Sequence, residues 1–106
     1  MEMVIYDSLE RKTMTSYEFE KAAKNAVISS LNEMDKFNNV DIKINDLDMV
    51  WFAHTLGYKK CTIYSKLMND YYAEVTYNRG SSKMYVDIYK KVKNKAIDQS
   101  DFNFEA

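Results

Sequence analysis

Few residues in this chain could act as a nucleophile or a base. Its 106 residues include one histidine, His54, and one cysteine, Cys61. His54 is the one candidate general acid–base, and Cys61 would act as a nucleophile only if a base oriented it. His54 lies in an apolar stretch, and Cys61 is a small residue that alternates with Lys60 and Thr62 in a predicted strand; residues in such positions are more often packed core side chains. We therefore predict that both are buried, that there is no catalytic residue and that the chain is not an enzyme.

Metal and nucleotide sites are not indicated either. One histidine and one cysteine cannot supply a nitrogen or sulfur metal site, and the acidic residues lack the spacing of a calcium loop. With only two glycines, the chain contains neither a G-x-x-x-x-G-K-S/T loop nor a G-x-G-x-x-G turn to hold phosphates. We expect no metal and no cofactor.

Tyrosine is concentrated in the C-terminal half. Seven of the nine tyrosines lie between residues 58 and 89, where lysines accompany them. Tyrosine suits protein interfaces because it brings a large contact area and has little rotamer entropy to lose. The same side chains could instead stack on nucleic-acid bases while lysines follow the phosphates. The pattern therefore indicates binding and leaves open whether the partner is a protein or a nucleic acid.

A helix is predicted in the N-terminal third. Thr15 and Glu18 form an S/T-x-x-E capping box, in which each side chain satisfies a backbone N–H at the start of a helix. Apolar residues then recur at steps of three and four, which predicts an amphipathic helix over residues 16–36. They are Phe19, Ala22, Ala23, Ala26, Val27, Leu31 and Met34.

Extended segments follow the helix. Residues 40–44 alternate between apolar and polar, which predicts a short strand or an extended lead-in. The continuous apolar run at 49–57 is typical of a strand buried in the middle of a sheet, with Trp51 anchoring the core. Gly57 marks the next corner, and Gly80 is the expected position of a positive φ angle. The main predicted strands are residues 49–57, 59–66, 71–78 and 83–93.

These elements predict an α+β fold. One long N-terminal amphipathic helix packs on an antiparallel meander of about four strands. The chain length suits a single domain over residues 1–106. Within it we expect an N-terminal extension at 1–13, a core at 14–93 and an acidic tail at 94–106.

The two-residue period of a strand divides the last two strands into faces. Val75, Val86 and the residues two positions away on the same strands should face the helix. The residues between them, which include tyrosines and lysines, should lie on the opposite side of the sheet. We predict that this displayed side binds a partner. Its candidate binding residues are Tyr72, Tyr85, Tyr89, Lys83 and Lys91.

The charges form blocks although the net charge is only -1. Residues 1–48 carry six Lys/Arg against ten Asp/Glu, residues 49–97 carry nine against three, and residues 98–106 carry none against three. A basic middle therefore lies between acidic ends, whose carboxylates could occupy a basic channel of a partner. The acidic candidate binding residues are Glu18, Glu20, Asp98, Asp101 and Glu105.

Several motifs together carry a resemblance. They are VWFAHTL at 50–56, Asp70-x-Tyr72, EVTYN at 74–78 and YVDIYKK at 85–91. In combination, over about residues 16–93, they resemble a family of short uncharacterised proteins encoded by phages and prophages of low-GC Gram-positive bacteria. The resemblance implies a phage or prophage setting. That family has no assigned catalytic residues, so it implies no site.

Small phage proteins without catalytic residues often act stoichiometrically on a host machine. We therefore expect a counter-defence inhibitor of the anti-CRISPR kind, which binds a host defence protein such as a Cas effector. The alternative is a nucleic-acid-binding phage accessory protein that uses the Tyr/Lys-rich sheet face. Since a single cysteine allows no intrachain disulfide and no apolar run is long enough to cross a bilayer, we expect no membrane partner and a location in the host bacterial cytoplasm.

Overall fold

A computed structural model describes residues 14–105 of the chain, so the predicted extension at 1–13 lies outside the described residues. Helix α1 comprises Ser16–Asn32. The strands are β1 (Asp48–Thr55), β2 (Tyr58–Tyr64), β3 (Tyr71–Asn78) and β4 (Lys83–Lys90). They form one sheet in the order β1-β2-β3-β4, and each neighbouring pair is antiparallel. This arrangement confirms the predicted α+β fold.

The predicted capping box starts helix α1. The Glu18 backbone N–H donates to Thr15 Oγ1 at 3.0 Å, and the Thr15 backbone N–H donates to Glu18 Oε1 at 2.8 Å. The hydrogen bond from the Thr15 backbone, followed by that with its side chain, lowers the pKa of Glu18. Both side chains therefore cap the start of the helix.

Replacing Thr15 by alanine should destabilise the protein by about 1 kcal/mol, because one helix N–H loses its acceptor. For a domain of this size we expect the melting temperature to fall by about 4–8 °C. Circular dichroism on heating measures this fall, and Thr55→Ala at an exposed strand end is a matched control. An unchanged melting temperature in Thr15→Ala would show that the box does not stabilise the helix.

Helix α1 ends earlier than the predicted residue 36. Met34 has an extended backbone (φ -94°, ψ 132°) and a single 3₁₀ turn follows at Asp35–Phe37. This departure turns the chain so that Phe37 becomes buried, with its ring centroid 5.5 Å from that of Tyr71. Burial of Phe37 against the sheet thus takes precedence over continuation of the apolar stripe.

The core lies between α1 and one face of the sheet. Phe19, Ala23, Val27 and Leu31 are fully buried on the helix. Their partners on the sheet are Cys61, Ile63, Ala73 and Val75, and these are fully buried too. Val75 on β3 and the partly buried Val86 on β4 both pack in this core, as their two-residue period predicted.

Residues 40–44 form no strand, so of the two predicted alternatives only a lead-in to β1 is left. Residues 38–47 form an irregular connection that includes a 3₁₀ turn at Ile44–Asp46. The Lys43 backbone N–H donates to Asp46 Oδ2 at 2.9 Å, which closes that turn. Ile42 and Leu47 are buried, so the apolar residues of this segment fill the core without pairing with a strand.

The prediction that residues 49–57 form a central buried strand is wrong. Strand β1 is an edge strand, and Trp51 is 52% exposed. Helix α1 packs over β2, β3 and β4 and reaches β1 through Phe19, whose ring centroid is 5.7 Å from that of Phe52. His54, which we expected in the core, is therefore exposed at the uncovered end of β1.

Two turns show where backbone freedom is needed. Gly57 lies at the predicted corner between β1 and β2, where it has a positive φ of 81°. In the β3–β4 turn Ser82 has the positive φ (57°). The prediction of a positive φ at Gly80 is therefore wrong. The Gly80 backbone N–H donates to Asn78 Oδ1 at 2.9 Å. A Cβ on residue 80 would lie 3.2 Å from that oxygen, so glycine serves here to allow close approach.

Candidate protein-binding face

The side of the sheet opposite helix α1, here called the outer face, carries six aromatic side chains. Strand register brings them to this side, since each alternates with a residue that points to the core. Among residues 14–105 no helix packs on the outer face. Its aromatic residues are Trp51, Tyr58, Tyr64, Tyr72, Tyr85 and Tyr89.

The three tyrosines predicted to bind a partner all lie on the outer face. Tyr72 and Tyr89 are directly opposite each other in the β3–β4 pair and are stacked, with ring centroids 5.3 Å apart and planes 22° apart. Tyr85 lies four residues before Tyr89 on the same strand and is 52% exposed, while Tyr89 is 41% exposed. Together they present large, half-exposed aromatic area on two neighbouring strands.

Two carboxylates occupy the middle of this aromatic surface. Glu74 and Asp87 are directly opposite in the register, between the Tyr72–Tyr89 pair and Tyr85. Like charges opposite each other are unfavourable in a sheet; Lys60 offsets part of this, with its Nζ 3.5 Å from Glu74 Oε1. Glu74 and, to a smaller extent, burial and Asp87 raise the pKa of Tyr89. The centre of the outer face is therefore acidic, which the sequence-based choice of site residues missed.

The two predicted lysines lie at opposite ends of the outer face. Lys83 is exposed at the start of β4, opposite Asn78. Lys91 follows the end of β4, and its backbone N–H donates to the Asp70 carbonyl at 2.6 Å. These cations flank the aromatic surface and do not form one basic patch.

A groove lies at the Lys91 end of the outer face. It has a volume of about 300 Å³, and Val50, Tyr64 and Tyr72 form its apolar walls, with Asp70 and Lys91 also lining it. Val50 is the extra residue of a β-bulge, since the register shifts between Met49 and Trp51. The bulge displaces the edge strand locally and thereby helps to shape the groove.

The acidic candidates lie elsewhere. On helix α1, Glu18 caps the helix, and Glu20 Oε2 accepts from Lys24 Nζ at 2.8 Å. The other three are in the C-terminal segment that follows β4, residues 91–105, where every residue is exposed. The predicted binding residues thus occupy three separate surfaces: the outer face, the helix and the C-terminal segment. In the segment they are Asp98, Asp101 and Glu105.

Sequence reasoning also missed three aromatic members of the outer face. Trp51 was assigned to the core because it lies in an apolar run, whereas Tyr58 and Tyr64 were not considered as binding residues. Alternation along β2 between buried Cys61 and Ile63 and the outward Tyr64 was the available signal. The bulge at Val50, which reverses the alternation in β1, has no signal in the sequence.

Cys61 and His54 differ sharply in environment. Cys61 is fully buried, as predicted, and burial raises the pKa of its thiol to about 11, with Glu20 adding to the effect. His54 is exposed. A buried neutral thiol is a poor nucleophile. Among residues 14–105 no group of three His, Cys, Asp or Glu side chains is arranged to hold a metal ion.

Cys61 should be nearly inert toward thiol reagents in the folded protein. Because its pKa rises from 9.0 to about 11, the thiolate fraction at pH 8 falls about 100-fold. We expect modification by a chromogenic disulfide to be at least about 100-fold slower in buffer than in denaturant. Equal rates in the two conditions would contradict the burial of this side chain.

A family model described as "Family of unknown function (DUF6275)" matches residues 20–99. The chain belongs to this family. The matched segment of the DUF6275 chain includes the whole sheet, hence the outer face, and most of helix α1. Phe102 and Phe104 fall outside it. Membership agrees with the predicted uncharacterised family.

No curated protein and no solved structure matches this DUF6275 chain. Its described helix is too short and too polar to cross a membrane.

Proposed function

We propose that this chain is a small non-catalytic protein that acts by stoichiometric binding of a protein partner through the outer face. The observation that carries the proposal is the set of six aromatic side chains on a sheet side that no helix covers within residues 14–105. Tyr58, Tyr85 and Trp51 are each about half exposed there. Exposed aromatic area of this kind is typical of protein interaction sites, in which tyrosine and tryptophan dominate the binding energy.

The central charges favour a protein partner over a nucleic acid. Glu74 and Asp87 lie in the middle of the aromatic surface, where they would repel phosphates. A protein partner can instead place a lysine or arginine against these carboxylates and over the neighbouring rings. The outer face thus suits a partner surface that combines apolar and basic side chains.

We further propose that the partner is a host defence protein, such as a Cas effector, and that the chain is a phage counter-defence inhibitor of the anti-CRISPR kind. It would act in the cytoplasm of the host bacterium. Two observations support this. The combined sequence motifs resemble proteins of phages and prophages. In addition, residues 98–106 carry three carboxylates and no Lys or Arg, and such a segment complements a basic nucleic-acid channel.

A nucleic-acid-binding phage accessory protein is the second candidate. The stacked pair of Tyr72 and Tyr89 favours it, because aromatic platforms of this type bind single-stranded bases. Lys60 and Lys83 on the same side of the sheet would supply phosphate contacts. This candidate predicts binding that weakens steeply as salt is added.

Capture from host lysate and gel shifts distinguish the two candidates. We would immobilise wild type, Tyr85→Ala and, as a matched control, Tyr17→Ala; Tyr17 is an exposed tyrosine on helix α1. A protein interface predicts one retained host protein and a loss of about 30-fold in affinity for Tyr85→Ala alone, since an interface tyrosine contributes about 2 kcal/mol.

Gel shifts with single- and double-stranded DNA complete the test. Shifts abolished by Tyr85→Ala and by raised salt, without any captured protein, would support the nucleic-acid candidate and refute the protein-binding proposal. Capture that is equally strong in Tyr85→Ala and Tyr17→Ala would refute the use of the outer face.

A further inference from the structure

We infer that the C-terminal segment, residues 91–105, docks on the outer face of a second copy of this chain. Every residue of the segment is exposed. Four of them are large apolar residues, of which Phe104 is 86% exposed. Side chains of this kind are normally removed from water, yet the described part of a single copy leaves about half or more of each one exposed. They are Val92, Ile97, Phe102 and Phe104.

The end of the segment is already shaped for presentation. A 3₁₀ turn at Gln99–Asp101 is closed by the Asp101 backbone N–H, which donates to the Asp98 carbonyl at 2.9 Å. Directly after it, the rings of Phe102 and Phe104 meet edge to face with centroids 6.3 Å apart. Because the two rings are held together before binding, less conformational entropy is lost when they dock.

The groove on the outer face complements this end of the segment. Val50, Tyr64 and Tyr72 give it apolar walls, and its volume of about 300 Å³ suits a phenyl ring. Asp98, Asp101 and Glu105 have no basic neighbour after residue 97, so their carboxylates are available to Lys91, which lines the groove. A phenylalanine in the groove would bring a neighbouring carboxylate toward Lys91, although Asp70 also lines the groove.

The geometry favours a second copy over the segment's own face. Lys91 both begins the segment and lines the groove, so Phe102 could reach its own groove only by reversing direction within about ten residues. Residues 91–98 adopt no turn and contain neither glycine nor proline to make one. The Cα radius of gyration is 17.8 Å, compared with about 13 Å for a compact chain of this length. The chain is therefore more extended than a compact domain, as expected if the segment does not fold back on its own sheet.

A twofold dimer satisfies both copies at once. Each copy donates one segment and receives one, which closes the assembly. Phe102 and Phe104 are 49% and 86% exposed, so they can bury about 200–340 Å² per segment, and the receiving faces contribute a similar area. The total of about 800–1,400 Å² spans the lower end of the range for specific interfaces.

The inference uses the same face as the proposed function but does not rest on it. In the dimer the segment would cover part of the outer face, so a partner would have to displace it. Removing the two phenylalanine rings should therefore release the dimer while capture of a partner persists or improves. Failure of dimer formation and failure of partner binding are thus separate results.

Sedimentation velocity from about 1 to 100 μM tests the inference. We expect wild type to dimerise, and the double variant Phe102→Ala/Phe104→Ala to remain monomeric. On the receiving side, Val50→Glu should also be monomeric, and Lys91→Glu should weaken the dimer at least about tenfold at an exposed position where folding is not at risk. Leu56→Ala, at the opposite end of the sheet, should dimerise like wild type.

Trp51 provides a second readout, because it is the only tryptophan and lies next to Val50. Its emission should shift to shorter wavelength as the dimer forms, and the shift should be absent in Phe102→Ala/Phe104→Ala. A wild type that stays monomeric from about 1 to 100 μM would overturn the inference. This holds even if the emission of Trp51 shows that the segment docks on the outer face of its own copy. A dimer that persists in the double phenylalanine variant, or in both Val50→Glu and Lys91→Glu, would overturn it equally.

Discussion

Replacing Phe19 by alanine is expected to lower the free energy of unfolding by about 3–5 kcal/mol. Phe19 is fully buried in the first turn of helix α1, and its ring packs against Phe52. Its removal leaves a cavity where the helix meets the edge strand, so both the transfer energy and the packing contacts are lost. A chain of this length has a stability of about 5–15 kcal/mol, so the variant loses a large part of its total stability.

Urea denaturation followed by circular dichroism measures this effect. Phe104→Ala is the matched control, because the same ring is removed from an exposed position; its effect on stability should stay within about 0.5 kcal/mol at concentrations where the protein is monomeric. Similar losses in Phe19→Ala and Phe104→Ala would contradict the assignment of Phe19 to the core.

The second large effect concerns binding. Replacing Tyr72, Tyr85 and Tyr89 together by alanine should weaken partner binding by at least about 1,000-fold, since several central tyrosines at an interface together contribute more than 4 kcal/mol. Stability should change much less, because the three rings lie outside the core between α1 and the sheet. We expect a loss of about 0.5–1.5 kcal/mol from the stacked pair of Tyr72 and Tyr89.

Isothermal titration with the captured partner, beside a thermal melt, separates the two quantities. Tyr17→Ala again serves as the control, since it removes an exposed tyrosine from the other side of the molecule. A triple variant that melts normally and binds normally would show that the tyrosines are only surface. The interface would then have to be sought on the helix or in residues 91–105.

Local features of this fold could be predicted from the sequence because neighbouring residues determine them. The hydrogen bonds between Thr15 and Glu18 close within one turn, so their spacing alone is sufficient. The alternation of β3 and β4 likewise indicates two faces, because successive side chains of a strand point to opposite sides. For the same reason Tyr72, Tyr85 and Tyr89 could be assigned to one side without a structure.

The environment of an element, by contrast, depends on what packs against it. Residues 49–57 have the composition of a buried strand, yet β1 lies at an edge of the sheet, and helix α1 reaches it through the contact between Phe19 and Phe52. Trp51 and His54 are consequently exposed, and the bulge at Val50 adds the groove. None of these properties follows from periodicity, because strand order and the crossing position of a helix are set by contacts between distant residues.

The sequence by itself determined the helix start, the two-faced strands of the C-terminal half and the small number of candidate catalytic side chains. Only the tertiary structure decided which side of the sheet is covered, that Glu74 and Asp87 meet between aromatic rings, and that Glu18 and Glu20 lie apart from them. The physical reason is that helix starts and strand faces depend on residues a few positions apart. Register and coverage depend on the joint packing of α1 and four strands, which no short stretch of the chain encodes.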